Sequence, residues 1–199
     1  MTPPRATPMP AERRREALVD VTLELLREHG RDVTTRQIAQ AAGIAEGTIF
    51  RACASKEELV AAAIERAFVP GEVLDRLAEI DRDAPFEQRM VLVAEVLQAR
   101  YRATFDLMAK VGLVRPPESS PAAVHRESHL ERLTALMVEI VGADADLLDV
   151  PAEEFVHRLR LLVFVGSHPE LSDGRTLGAE AAVRTVLHGL LRRPEGEES

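Results

Sequence analysis

Apolar residues recur every three or four positions along most of this chain of 199 residues, and that spacing buries one face of an α-helix. The first apolar stripe, from Leu18 to Leu26, stops before Gly30, a residue that suits the end of a helix. No segment alternates apolar and polar residues as a strand would. We therefore predict an all-α fold. The predicted helices cover residues 11–29, 35–41, 45–53, 56–69, 73–80, 86–111, 122–141, 152–165 and 176–191.

Residues 33–52 have the pattern of two short helices joined by a glycine turn. Thr34 and Gln37 match a capping box, in which each side chain hydrogen-bonds the other residue's backbone amide at a helix start. Gly43 ends that helix, because glycine readily takes the left-handed conformation. Two short helices at this separation are typical of a helix-turn-helix, whose second helix lies in the major groove of DNA.

A second capping box, at Ser55 and Glu58, precedes the next helix, so four helices in about sixty residues are expected to form one compact module. The first ten residues are rich in proline and are predicted to be a disordered arm. The predicted domains are the arm at 1–10, a helix-turn-helix DNA-binding domain at 11–71 with the helix-turn-helix itself at 33–52, a second helical domain at 72–192, and a flexible tail at 193–199.

The order of a long amphipathic helix, then TTRQIAQAAGI, EGTIF and SKEEL, resembles the TetR family of bacterial transcriptional regulators. The resemblance covers residues 11 to about 70 and is only architectural beyond them. It implies DNA contacts from the start of the second helix, from the third helix and from a lysine that opens the fourth. The corresponding residues here are Thr35, Arg36, Glu46, Gly47, Thr48, Phe50, Arg51 and Lys56.

Residue chemistry supports several of these contacts independently. Lys56 opens a helix, where the macrodipole disfavours a cation by roughly 0.3–1 kcal/mol, so a DNA phosphate would suit it; a solvated surface lysine is the alternative. Arg36 could pair with guanine O6 and N7 or be only a solubilising residue. Glu46 could accept from cytosine N4 or simply stabilise a helix N-terminus. Thr35 and Thr48 would donate to phosphates.

Four positions depart from the pattern of the family. Phe50 replaces the usual tyrosine and Ala52 the usual histidine, so two contacts to the DNA backbone are in question. Ala45 replaces the usual serine cap, which lowers helix stability by about 1 kcal/mol. Cys53 replaces a core phenylalanine and is expected to be a small buried residue, with a redox sensor as the alternative. Binding is therefore expected to depend on arginines: Arg51, Arg13, Arg14, Arg15 and Arg5.

The charge distribution agrees with a DNA-binding N-terminus. Residues 1–60 hold nine basic and nine acidic residues, whereas residues 61–199 hold sixteen and twenty-four, which gives the net charge of −8. An acidic protein gains no nonspecific attraction to DNA, so binding must come from a local positive surface. The chain has no apolar run long enough to span a membrane and no apolar signal region at its start, so we expect a cytoplasmic protein with no membrane partner.

Other chemistry is not indicated. The single cysteine excludes an internal disulfide, and the sequence shows neither an activated nucleophile nor a phosphate loop, so we predict no enzyme activity and no cofactor. His125 and His129 are four residues apart, but a third ligand is not identifiable, so we predict no metal site.

The remaining predictions come from the family resemblance. It implies that the middle helices enclose a pocket for a small-molecule effector, although the same apolar stripe would also serve as plain core. The candidate lining residues are Met90, Tyr101, Phe105, Met108, His125, His129 and Phe164. It also implies a homodimer through the last two helices, for which an ordinary buried hairpin is the alternative.

We therefore expect a DNA-binding transcriptional regulator, a repressor that a small molecule releases from a palindromic operator. The alternative is a small-molecule-binding helical protein whose degenerate head, changed at Phe50, Ala52 and Cys53, no longer binds DNA. A helical-bundle enzyme is disfavoured because the sequence shows no catalytic site.

Overall fold

The computed structural model describes residues 10–69, 71–113 and 126–189, and all regular structure in those ranges is helical. The helices are α1 (Ala11–His29), α2 (Thr35–Ala41), α3 (Glu46–Ile49), α4 (Lys56–Ala67), α5 (Gly71–Ala78), α6 (Phe86–Lys110), α7 (Arg126–Val141), α8 (Ala152–Ser167) and α9 (Ala179–His188). Short 3₁₀ turns cover Gly30–Asp32 and Gly142–Leu147. The prediction of an all-α fold is confirmed. Residues 1–9 of the predicted arm, the predicted tail and residues 122–125 lie outside the described residues.

The described residues form two compact units, 10–69 with 104–113 and 71–103 with 126–189. The first unit therefore includes a segment, 104–113, that the sequence assigns to the second domain. In that unit α1 packs against α4, and α2 packs against α3. Its buried core joins residues from all four helices to the segment that ends α6: Leu18, Leu26, Ile38, Ile49, Leu59, Leu107 and Val111.

The end of α1 is fixed to residues 110–111 by several contacts. Gly30 has a φ of +61°, and a Cβ there would lie 2.6 Å from the carbonyl oxygen of Lys110, so only glycine fits. The Lys110 ammonium donates to the carbonyl of Arg27. The Arg31 guanidinium donates to the carbonyl of Val111. These contacts close the core of the first unit with backbone as well as apolar groups.

The second unit has its own core, formed by α5, the first part of α6 and helices α7 to α9. Met90, Leu97, Met137, Ile140 and Leu159 are each at most 1% exposed, and their burial supplies the main stabilisation of this unit. Among the described residues, none of the helices has the length and apolar character that crossing a membrane requires.

Two buried polar side chains of the second unit, Arg89 and Gln98, bind acceptors on neighbouring segments. Arg89 donates to the carbonyls of Arg82 and Val141 and to the carboxylate of Asp144. Gln98 donates to the carbonyl of Leu177 at 2.6 Å. These bonds hold segments before α6, after α7 and before α9 to side chains of α6, because a buried donor that lost its acceptor would be destabilising.

Candidate nucleic-acid interface

The helix-turn-helix is closed by backbone and side-chain caps. The Thr34 hydroxyl accepts from the Gln37 amide at 3.2 Å, and Gln37 accepts from the Thr34 amide at 2.8 Å, so the predicted capping box is present. After α2, Ile44 donates to the carbonyl of Ala39 at 3.0 Å, across Gly43, whose φ is +66°. This is a Schellman ending, and it turns the chain directly into α3.

Helix α3 is shorter than the predicted range of residues 45–53. Ala45 at its N-cap has no side chain to accept a hydrogen bond, and regular helix ends at Ile49. The chain continues as a turn in which Cys53 donates to the carbonyl of Ile49 at 3.0 Å. Ile49 and Cys53 are buried while Gly47 is exposed. The apolar face of this segment thus anchors the helix and its other face meets solvent.

Two of the predicted contact residues bind each other. The hydroxyl of Thr35, at the start of α2, donates to the carboxylate of Glu46, at the start of α3. This bond joins the first turns of the two helices and uses the one hydroxyl proton of Thr35 that was predicted to reach a phosphate. No local pattern predicts this pair, since the two residues are eleven positions apart.

Three cations lie on this surface without a counter-ion. Arg36 and Arg51 are exposed and Lys56 is half-buried, and within the described parts of the chain their side chains have no ion-pair or hydrogen-bond partner. They stand at the start of α2, just after α3 and at the start of α4. Phosphate oxygens are the ligands that such unpaired cations prefer on DNA.

Two other predicted contacts have definite positions. Thr48 is half-buried in α3. Phe50 follows that helix with 53% of its surface exposed. Its ring has no hydroxyl to offer a phosphate, so any contact with DNA would be apolar.

Arg15, which the sequence places among the DNA-binding arginines, is already paired. Its guanidinium lies 3.2 Å from the carboxylate of Glu58. Glu58 also accepts from the Ala54 amide at 2.7 Å, and that hydrogen bond, with the Arg15 contact after it, lowers the pKa of Glu58. The Ser55 hydroxyl accepts from the Glu58 amide at 3.1 Å, which is one half of the predicted capping box. The other half is displaced, because the Glu58 carboxylate accepts from the amide of Ala54 and not from that of Ser55.

Cys53 is 4% exposed, and burial raises the pKa of its thiol. A thiol with a raised pKa carries little thiolate and reacts slowly with oxidants. The prediction that Cys53 is a small core residue is therefore favoured over a redox sensor.

The predicted effector residues fall in different parts of the fold. Met90 is 1% exposed in the core of the second unit. In the same unit the rings of Tyr101 and Phe164 meet edge to face at 5.1 Å, and His129 lies on α7. Phe105 and Met108 belong to the first unit. His125 lies outside the described residues. In the part of the chain that the structure describes, no three His, Cys, Asp or Glu side chains are grouped as metal ligands.

The last two helices combine a buried face with an exposed apolar one. On α8, Phe155, Leu159 and Val163 are buried, while Leu161 and Val165 are 50% and 43% exposed. Exposed apolar side chains one turn apart form a continuous stripe on a helix.

The first unit matches a known family of sequences. Residues 18–63 match the family described as bacterial regulatory proteins, tetR family. None of the curated proteins matches the chain.

Solved structures match the chain over most of its length. A transcriptional regulator of the TetR/AcrR family from Thermobifida fusca is 23% identical, with a TM-score of 0.61 over 90% of this chain and 100% of the other. The regulator FadR from Bacillus subtilis, solved in complex with stearoyl-CoA, is 14% identical, with a TM-score of 0.58 over 88% and 99%. A transcriptional regulator from Rhodococcus sp. Rha1 is 19% identical, with a TM-score of 0.58 over 89% and 99%. At these identities the likeness concerns the fold.

Proposed function

We propose that this chain, whose residues 18–63 match the tetR family of bacterial regulatory proteins and whose fold resembles that of a solved TetR/AcrR-family regulator, is a DNA-binding transcriptional regulator. In this proposal it is a dimeric repressor that a small molecule releases from a palindromic operator. The observation that carries the DNA-binding part is the set of unpaired cations, Arg36, Arg51 and Lys56. In a chain of net charge −8, basic residues without acidic partners are expected where an anion binds.

Each residue of the surface has a role in this proposal. Arg36 reads guanine at the start of α2, and Arg51 and Lys56 hold phosphates on either side of α3. Thr48 donates to a phosphate. Gly47, which is exposed and where an added Cβ would meet open space, allows the DNA backbone to approach the helix closely. Thr35 and Glu46 keep α2 and α3 in register through their mutual hydrogen bond.

The exposed stripe on α8 supports the dimer. Leu161 and Val165 would be buried against the same helices of a second copy across a two-fold axis. Two reading heads are needed for a palindrome, whose half-sites lie about 34–36 Å apart when they are separated by one helical turn. Sedimentation of the full chain at micromolar concentration tests this directly, and a monomer there contradicts it. Leu161→Glu is expected to dissociate the dimer, whereas Leu171→Glu, an equally exposed leucine outside the helices, is the matched control.

A small-molecule effector fits the apolar and aromatic groups of the second unit, where Tyr101 and Phe164 are in contact and Phe164 is 38% exposed. A regulator with a similar fold, FadR from Bacillus subtilis, is described in complex with stearoyl-CoA. That fold therefore accommodates an organic ligand in at least one protein.

The test is a footprinting and mobility-shift assay on the DNA upstream of the chain's own gene, at two salt concentrations. Protection of a palindrome, with affinity that falls steeply as salt rises, is the expected result. The double variant Arg36→Ala, Arg51→Ala is expected to lose the protection. Absence of binding at both salt concentrations, by a chain that is folded and dimeric, would favour the ligand-binding protein with a degenerate head.

A further inference from the structure

The second unit contains an arginine whose charge is not balanced. On α8, Arg158 forms an ion pair with Glu154 at 2.7 Å, as expected in an acidic chain. Arg160, two residues later, lies beside the imidazole of His157, whose Nδ1 is 3.3 Å from one guanidinium nitrogen. Within the ranges that the structure describes, no carboxylate pairs with Arg160.

One atom of Arg160 is left in an unfavourable state. Its Nη1 is enclosed by protein and has no hydrogen-bond acceptor among the described residues. An enclosed donor without an acceptor destabilises a fold by about 1–3 kcal/mol, and more when the group is charged. An oxyanion from outside the chain is one group that can supply the missing acceptor, because a guanidinium pairs readily with carboxylates and phosphates.

The surroundings of Arg160 are those of a binding site for an amphiphile. The charge of Arg160 acts on the phenol of Tyr101, as does that of Arg100. The ring of Tyr101 packs edge to face on Phe164, one turn after Arg160 on α8. Two guanidinium groups thus act on the phenol of an aromatic pair, and all of these residues belong to the second unit.

The chemistry of Tyr101 is also suited to an anion. Burial raises the pKa of this phenol to about 12, so it keeps its proton at physiological pH and can donate to an oxyanion. A guanidinium and a protonated phenol together provide the charge-assisted hydrogen bonds that carboxylates and phosphates form most strongly.

We propose that the effector of this regulator is an organic acid, an apolar molecule whose single oxyanion head accepts hydrogen bonds from Arg160 Nη1 and Tyr101 while its apolar part packs on Phe164. This inference rests on the proposed function, because it names the chemical class of the effector. The acid neutralises a guanidinium that the protein itself leaves unsatisfied.

The chain provides its own reporter for the test. It has one tyrosine and no tryptophan, so the intrinsic fluorescence of the full chain comes from Tyr101 alone. Three probes with the same alkyl chain would be titrated: decanoate, decyl phosphate and uncharged decan-1-ol. A saturable change with one or both acids, at least about tenfold tighter than with the alcohol, is expected, as the loss of a charge-assisted hydrogen bond predicts. The two acids distinguish a carboxylate head from a phosphate head.

Variants on one helix separate the proposed site from general effects. Arg160→Met is expected to lower the affinity for both acids to that for the alcohol. Arg160→Lys is expected to restore part of the difference in affinity between acids and alcohol. Arg158→Met removes a paired, exposed arginine from the same helix and is expected to leave all three affinities unchanged. Calorimetric titration of each variant checks affinities independently of the fluorescence, and far-ultraviolet circular dichroism confirms that each is folded.

The inference is overturned if acids and alcohol bind with equal affinity or if none of the probes binds. It is also overturned if Arg160→Met changes the sedimentation of the dimer but not the affinity for the acids, since a second copy of the chain would then supply the acceptor. Binding of the acids does not depend on DNA, so its failure is distinguishable from failure of the proposed function. If the chain binds decanoate through Arg160 but binds no operator, the proposed DNA-binding function is refuted. If it binds the operator but none of the acids, only the proposal of an organic-acid effector is refuted.

Discussion

Removal of the Lys56 side chain should change DNA binding and folding stability in opposite directions. Lys56 is the first residue of α4, where the partial positive charge of the helix end disfavours a cation by roughly 0.3–1 kcal/mol. No described carboxylate pairs with it to offset that effect. Lys56→Ala should therefore leave the free energy of unfolding unchanged or raise it by up to about that amount.

The expected change in DNA affinity follows from the positive charge that Lys56→Ala removes. Each neutralised phosphate contributes about 0.9 to the slope of log affinity against log salt. A dimer that loses two such contacts should have a slope that is shallower by about 1.8. When the salt rises from roughly 50 to 200 mM, the affinity of the parent should thus fall by a factor about twelve times larger than that of the variant.

The assay is fluorescence anisotropy with an operator fragment at four salt concentrations, paired with urea unfolding of the free protein. Arg66→Ala is the matched control, because Arg66 lies on the same helix and forms an exposed ion pair with Asp20 at 3.2 Å. It should lose about 0–1 kcal/mol of stability and keep the parent's slope. The reasoning is refuted if the slope for Lys56→Ala equals that for Arg66→Ala.

Three further predictions follow from single residues. Phe50→Tyr should restore a phosphate contact and tighten operator binding by at least about tenfold with no loss of stability; unchanged affinity in the anisotropy assay would exclude a phosphate near this ring. Gly30→Ala should destabilise the chain by roughly 2–4 kcal/mol in urea unfolding, through positive φ and overlap with Lys110, whereas Gly71→Ala, where a Cβ meets open space, should change stability little. Burial raises the pKa of Tyr101 to about 12 in the folded chain. The free energy of unfolding that depends on the protonated phenol is therefore fully present below pH 10 and falls by roughly 2–3 kcal/mol as the pH rises through 12. Tyrosinate absorbance that titrates near pH 10 in the folded chain would contradict this.

The parts of the fold that depend on neighbouring residues were predictable. The bounds of α1 and α2 agree with the prediction to the residue, because Gly30, Thr34, Gln37 and Gly43 act on the backbone within one turn. The family was likewise recognisable from short motifs, since caps and turns fix the reading helices locally.

Other parts depend on partners that are distant in sequence. Helix α9 begins at Ala179 and not at Thr176, because Leu177 is held outside the helix: its amide donates to the carbonyl of Gly166 at 2.9 Å, and its carbonyl accepts from Gln98. Gly166 also leaves the space that Leu177 fills, since a Cβ there would lie 2.8 Å from that of Leu177. No local pattern encodes such contacts.

The same limit applies to the candidate site. The family resemblance predicts which residues contact DNA, but the sequence could not separate paired cations from unpaired ones. Arg15 is paired with Glu58, forty-three positions away, while Arg51 and Lys56 are unpaired within the described chain. Only tertiary structure shows which positive charges remain available for an anion.

The bond between Thr35 and Glu46 also constrains any attempt to retarget this protein to a new operator. Selection that randomises one of the two positions would return clones that bind poorly because their two helices have lost a common fixing point, whatever their preference among bases. Libraries should therefore vary positions 35 and 46 as a pair, and homologous regulators with different operators are expected to exchange both residues together.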